Sequence, residues 1–172
     1  FLPHEFVGSA TIENNTEALA SKITQELKLK INWNKNNPNT FNVLREEISN
    51  LGILVMQNGV VGNNNHRILN VAEFRAFVLI DQYVPLIFLN ARDSTNAKVF
   101  SLCHELVHVW LGVDELYNDN FTSNQIVNNS QLEKFCNEVA AEMLLPLSSI
   151  QSTLEPQLDI YTNIKHISKV FN

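Results

Sequence analysis

The chemistry of this chain is concentrated in five residues, His104-Glu105-Leu106-Val107-His108. Two imidazoles four residues apart on a helix project from one face, one turn apart, so they can grip a single metal ion. Glu105 is turned about 100° round the helix from His104. It can therefore reach a water on such an ion and act as general base, while zinc lowers the pKa of that water to ~7. From this composition the pattern would arise by chance roughly one time in a hundred. Its surroundings sharpen it, because Val99, Phe100, Leu102, Cys103, Leu106, Val107, Val109 and Trp110 make the segment apolar nearly all round. Ionisable side chains left unpaired in such a helix would cost several kcal/mol, and a metal would satisfy two of them. The expectation is a metal-dependent hydrolase.

A catalytic zinc needs a third protein ligand and keeps its fourth position for water. Asp114 follows His108 at the distance where one large class of zinc peptidases places that ligand, but Gly112 comes one place later than that pattern requires. A helix running on to Leu111 would also carry the chain past the metal. Glu133 is the stronger candidate, since it falls near the start of the next helix, which can present a carboxylate across the first. Ser130-Gln131-Leu132-Glu133 also reads as a capping box, a purely structural alternative, and Glu138 stands behind Glu133. Cys136 sits among apolar neighbours and reads as a buried thiol. Two His and one carboxylate suit one zinc per chain, although the same set can bind Mn or Fe. His66, Tyr83, Arg92 and Tyr117 are candidates for stabilising an oxyanion, and nothing in the residues chooses between them.

The elements that must position these residues follow from periodicity. Leu19, Ile23 and Leu27 repeat at helical spacing after Asn14 and Glu17, a capping-box pair, and Phe41, Leu44, Ile48 and Leu51 mark a second helix from about Thr40 that Gly52 ends. Apolar runs at Ile53 to Met56, Phe74 to Ile80 and Leu86 to Leu89 read as strands, and the Asn-rich, Gly-containing segment from Asn58 to His66 as a loop or hairpin tip. Ser94 can cap a long helix that stops at Gly112. An Asn-rich loop from Asn118 to Asn129 then leads to a helix over about Gln131 to Leu145, ended by Pro146, and two short helices follow. This order predicts an α+β domain with a small three-stranded sheet and the active-site helix in the core.

Length and composition fit one domain: 172 residues, 45% hydrophobic and 17% charged, with no apolar run long enough to span a membrane. The net charge of -6 and scattered basic residues give no footprint for nucleic acid. Cys103 and Cys136 lack the spacing of a secreted disulfide framework, which points to a reduced, cytoplasmic setting. The opening Phe1-Leu2-Pro3 and the uncapped helical pattern at Val170-Phe171-Asn172 read as the ends of a fragment of a longer chain.

The stretch Glu133-Lys134-Phe135-Cys136-Asn137-Glu138-Val139-Ala140-Ala141-Glu142-Met143-Leu144-Leu145-Pro146 resembles the ExxANxFAAxLLMP signature of the ImmA/IrrE family of zinc peptidases. Phe74-Arg75-Ala76-Phe77, Pro85 to Asn90 and Phe100-Ser101-Leu102-Cys103-His104-Glu105-Leu106 are similar to its strand, strand and FTLAHEL order. The resemblance covers about residues 70 to 146, with Cys136, Val139 and Leu145 replacing the family's Ala, Phe and Met. It implies that His104, His108 and Glu133 are the metal ligands and Glu105 the base, in a zincin-like helical domain whose edge strand binds an extended peptide. Pro85 to Leu89 is the expected edge strand. The resemblance further implies a narrow protein substrate such as a transcriptional repressor. Two alternatives are a catalytically silent metal-binding regulatory module and a domain of a toxin–antitoxin pair attached to a helix-turn-helix segment.

Overall fold

A computed structural model describes residues 2–62, 64–113 and 123–171, with side chains from residue 129 onward in the segment after the last gap. Helix α1 spans Thr16–Glu26 and buries Leu19, Ala20 and Ile23, with Leu27 following as its C-cap. The Asn15 side chain caps it by accepting from Ala18 N at 2.9 Å. The expected cap, Asn14, instead accepts from Thr11 N at 2.7 Å and shapes the turn that leads in. Helix α2, Thr40–Asn50, buries Leu44 and Ile48.

Five strands follow: β1 Leu54–Asn58, β2 Val60–Val61, β3 Asn64–Ile68, β4 Ala76–Leu79 and β5 Leu86–Asn90. Strands β2 and β3 form the hairpin anticipated between Asn58 and His66. The other three make a mixed sheet in the order β1-β5-β4, with β1 parallel to β5 (Val55 opposite Ile87) and β4 antiparallel to it (Phe77 opposite Phe88). Pro85 to Leu89 is therefore the central strand, which corrects its assignment to the edge. Ile87 and Leu89 are fully buried on the face that α3 covers. Val55, Ile87, Leu89 and Val78 turn one face of the sheet to the helices.

Helix α3, Thr95–Leu111, is the centre of the fold and packs on α2, β4, β5 and the next helix, α4 (Ser123–Leu144). Ser94 caps its start through Ala97 N at 3.2 Å. Its end turns at Gly112, whose left-handed φ of +68° closes the last turn. Eleven of its 17 residues are buried, as an all-round apolar helix requires.

Helix α4 begins at Ser123, well ahead of the expected Gln131. Asn costs under about 0.7 kcal/mol per helical residue, a penalty that a helix already nucleated by packing can carry. Ser130 consequently lies inside α4, and the capping-box reading of Ser130 and Glu133 lapses. Helices α5, Leu147–Thr153, and α6, Ile160–Val170, complete the α+β fold. No disulfide joins Cys103 and Cys136, both buried. Among the described residues no helix is long and apolar enough to cross a membrane.

Candidate metal centre

Helices α3 and α4 pack face to face, and the contact brings His104, His108 and Glu133 together. The two Nε2 atoms lie 3.2 Å apart. One carboxylate oxygen of Glu133 is 3.2 Å from Nε2 of His104 and the other is 3.3 Å from Nε2 of His108. Ligands held ~2.0–2.1 Å from a tetrahedral zinc sit about 3.3–3.4 Å from one another, so this spacing fits a metal of that size. The donor set fits as well, being two borderline nitrogens and a carboxylate.

The outer nitrogens are already engaged. His108 Nδ1 is 3.1 Å from the carbonyl of Val113. A carbonyl only accepts, so Nδ1–H donates and Nε2 keeps its lone pair for a metal. His104 Nδ1 donates in the same way to Asn137 Oδ1 at 3.1 Å. Asn137 is four residues beyond Glu133 and shares its face of α4. Gly112 brings Val113 into place by turning the chain back, with Val113 N donating to the His108 carbonyl at 3.3 Å. The sequence reading missed both supports. Only the four-residue spacing of Glu133 and Asn137 could have pointed to the second.

Burial sets the electrostatics. His108 is fully buried and Glu105 is 9% exposed. Burial pushes the Glu105 carboxyl above its ordinary range, opposed by the nearby His108 and His104 and reinforced by Glu133. For His104, burial acts downward but is outweighed by the hydrogen bond to Glu133, the charges of Glu105 and Glu133, and the contact with Asn137, so its affinity for a proton rises. Two imidazoles and two carboxylates thus crowd one spot that favours positive charge between them.

The remaining candidates fall elsewhere. Glu138 is half-exposed and pairs with Lys134 at 3.8 Å on the outside of α4. His66 is exposed on β3, Tyr83 is exposed before β5, and the Arg92 side chain lies across Gly59 at the base of the hairpin. Among the described residues, none of these three touches His104 or His108 by a hydrogen bond, ion pair or ring contact. Asp114 and Tyr117 lie outside the described residues. Besides His104, His108 and Glu133, no group of three or more metal-ligating side chains gathers among the described residues.

A helix carrying two histidines in the core, a carboxylate from the crossing helix and a small mixed sheet beside them define a metallopeptidase-type domain. The family model for IrrE N-terminal-like domains, Peptidase_M78, matches residues 49–172, more than half of the chain, and the protein belongs to that family. The match extends past the motifs through α5 and α6. No curated protein matches the chain.

Proposed function

We propose that the domain is a zinc-dependent metallo-endopeptidase. The observation that carries this reading is the convergence of two Nε2 lone pairs and one carboxylate at tetrahedral spacing, each imidazole locked by an acceptor behind it. A zinc ion held by His104, His108 and Glu133 would polarise the scissile carbonyl and lower the pKa of a water to ~7. Glu105 takes the proton from the attacking water and returns it to the leaving amine. It is placed for this by its position next to His104, close enough to both imidazoles for their charges to act on it. Two histidines and one carboxylate are a ligand set with which a catalytic zinc keeps its fourth position for water.

With β5 in the middle of the sheet, the edge strand that packs on α3 among the described residues is β4. Main-chain pairing along β4 would hold an extended peptide over the site. The resemblance supports a specific protein substrate, such as a transcriptional repressor, and a cytoplasmic setting. Incubating the zinc-loaded chain and Glu105→Gln with a candidate repressor tests the mechanism. Cleavage by the first and none by the second, with equal zinc in both, is expected. Cleavage retained in the variant would remove Glu105 from the reaction, and none in either would favour a silent metal-binding module.

A further inference from the structure

We infer that residues 4–10 are part of the support of the metal centre, and that Phe6 is the positioning residue that keeps them there. This rests on the metal-centre reading and adds to it a determinant of metal affinity outside the three ligands. The segment lies ahead of residues 49–172, which the family model matches.

A helix leaves its last four carbonyls without partners in its own ladder. At the end of α3, Gly112 N turns back to the carbonyl of Val109 and Val113 N to that of His108, and residues 4–10 add two more bonds. Gly8 N donates to the Val109 carbonyl at 3.1 Å and Ala10 N to the Trp110 carbonyl at 2.9 Å. Gly8 also backs directly on Gly112, where an added Cβ would stand 2.8 Å from the Cα of Gly8 and 3.3 Å from its nitrogen. Gly112 carries the chain into Val113, whose carbonyl lies 3.1 Å from His108 Nδ1. The backbone that orients His108 is therefore held between α3 and this segment.

Aromatic stacking keeps the segment in place. Phe6 is half-buried and stacks on the fully buried Trp110, with ring centroids 4.7 Å apart and planes at 20°. His4 stacks on Phe6 in turn, at 4.8 Å and 26°. The His4 ring lies against Gly52, where an added Cβ would come within 2.7 Å of it, and His4 N donates to the Gln82 carbonyl at 2.7 Å. The segment is thus tied to the end of α2 and to the loop before β5 as well as to α3. Phe6 is the middle ring of this stack. Without it, the bonds from Gly8 and Ala10 must order a backbone that contains glycine, the residue with most conformational freedom to lose. Docking of the segment and binding of the metal then favour each other by the same factor, because such coupling is reciprocal.

The test measures zinc affinity by competition with a chelator. Phe6→Ala should bind zinc about tenfold more weakly, the low end of what losing an outer support costs, and Phe6→Tyr, which keeps the ring, should restore the affinity. Ile23→Val, a core truncation on α1, is the control for lost stability and should melt lower with its zinc affinity unchanged. Unchanged affinity in Phe6→Ala, or an equal loss in Ile23→Val, would overturn the inference while leaving the metal centre standing. Hydrogen exchange on the parent chain reads the same coupling without a variant. Zinc should slow exchange of the Gly8 and Ala10 amides about tenfold and leave that of Ala18, capped by Asn15, as it was. No slowing at Gly8 and Ala10 would overturn the inference even if Phe6→Ala failed to fold. Failure of the parent chain to bind zinc would overturn the metal-centre reading and this inference with it.

Discussion

Gly112 joins the fold to the metal centre, and replacing it with Ala should damage both. Its φ is +68°, and a Cβ built there would stand 2.8 Å from the Cα of Gly8 in the N-terminal segment that runs over the end of α3. The left-handed backbone costs an Ala residue about 1–2 kcal/mol. The clash is with backbone, which cannot swing aside, and overpacking of that kind costs about 1–3 kcal/mol more. At ~2–4 °C per kcal/mol for a domain of this size, the metal-free Gly112→Ala protein should melt roughly 5–15 °C lower. Gly8→Ala is the control: its φ is +69°, yet its added Cβ would meet Gly112 only at 3.8 Å. It should show the backbone strain alone, roughly 3–6 °C. A displaced Val113 carbonyl would also release His108 Nδ1. Losing such a support lowers metal affinity about 10–100-fold, so the stabilisation by excess zinc should shrink by about 1.4–2.8 kcal/mol in Gly112→Ala. Thermal melts of both variants with and without zinc read all three effects. Equal melting temperatures for the two variants, with an intact zinc shift in Gly112→Ala, would refute the reasoning.

Glu105→Gln should raise the stability of the metal-free protein at neutral pH. Burial lifts the Glu105 pKa in the fold, so as pH rises above the ordinary value of 4.5 the unfolded chain releases this proton first and the carboxylate costs stability. Melts across pH should show the advantage of the variant vanishing below about pH 4.5; an advantage independent of pH would point to packing instead. Asn137→Leu should weaken zinc binding about 10–100-fold by freeing His104 Nδ1, as read by competition with a chelator, whereas unchanged affinity would make that contact incidental. Leu89→Ala, in the centre of the sheet, should cost about 2–5 kcal/mol in urea unfolding. A loss below 1 kcal/mol, roughly that of an exposed position, would contradict the central placement of β5.

Local signals made much of the fold legible. Ser94 and Gly112 bracket α3 as their cap chemistry dictates, and the all-round apolar pattern between them put it in the core. What the sequence left open was non-local. The run Leu86 to Leu89 is a strand on its own evidence of residue type, but whether it lies at an edge depends on where Leu54 to Asn58 pairs, and nothing within the run encodes that. The start of α4 was hidden by asparagines whose turn preference yielded to helix packing. In the candidate site, His104 and His108 are one turn apart on one helix and were legible from spacing. Glu133 comes from a different helix; its place there set it ahead of Glu138, but only the resemblance chose it over the capping-box reading. Asn137 and the Val113 carbonyl stayed unread because an asparagine on a helix reads as solvated and a main-chain oxygen has no sequence signature.

The central claim is that His104, His108 and Glu133 hold a metal. The most direct test is the metal content of the purified, tag-free chain, measured beside Glu133→Ala. About one zinc per chain, lost or much weakened in the variant, is the predicted result. No metal in either protein after incubation with zinc would contradict the account and leave the two histidines as core residues satisfied by ordinary hydrogen bonds.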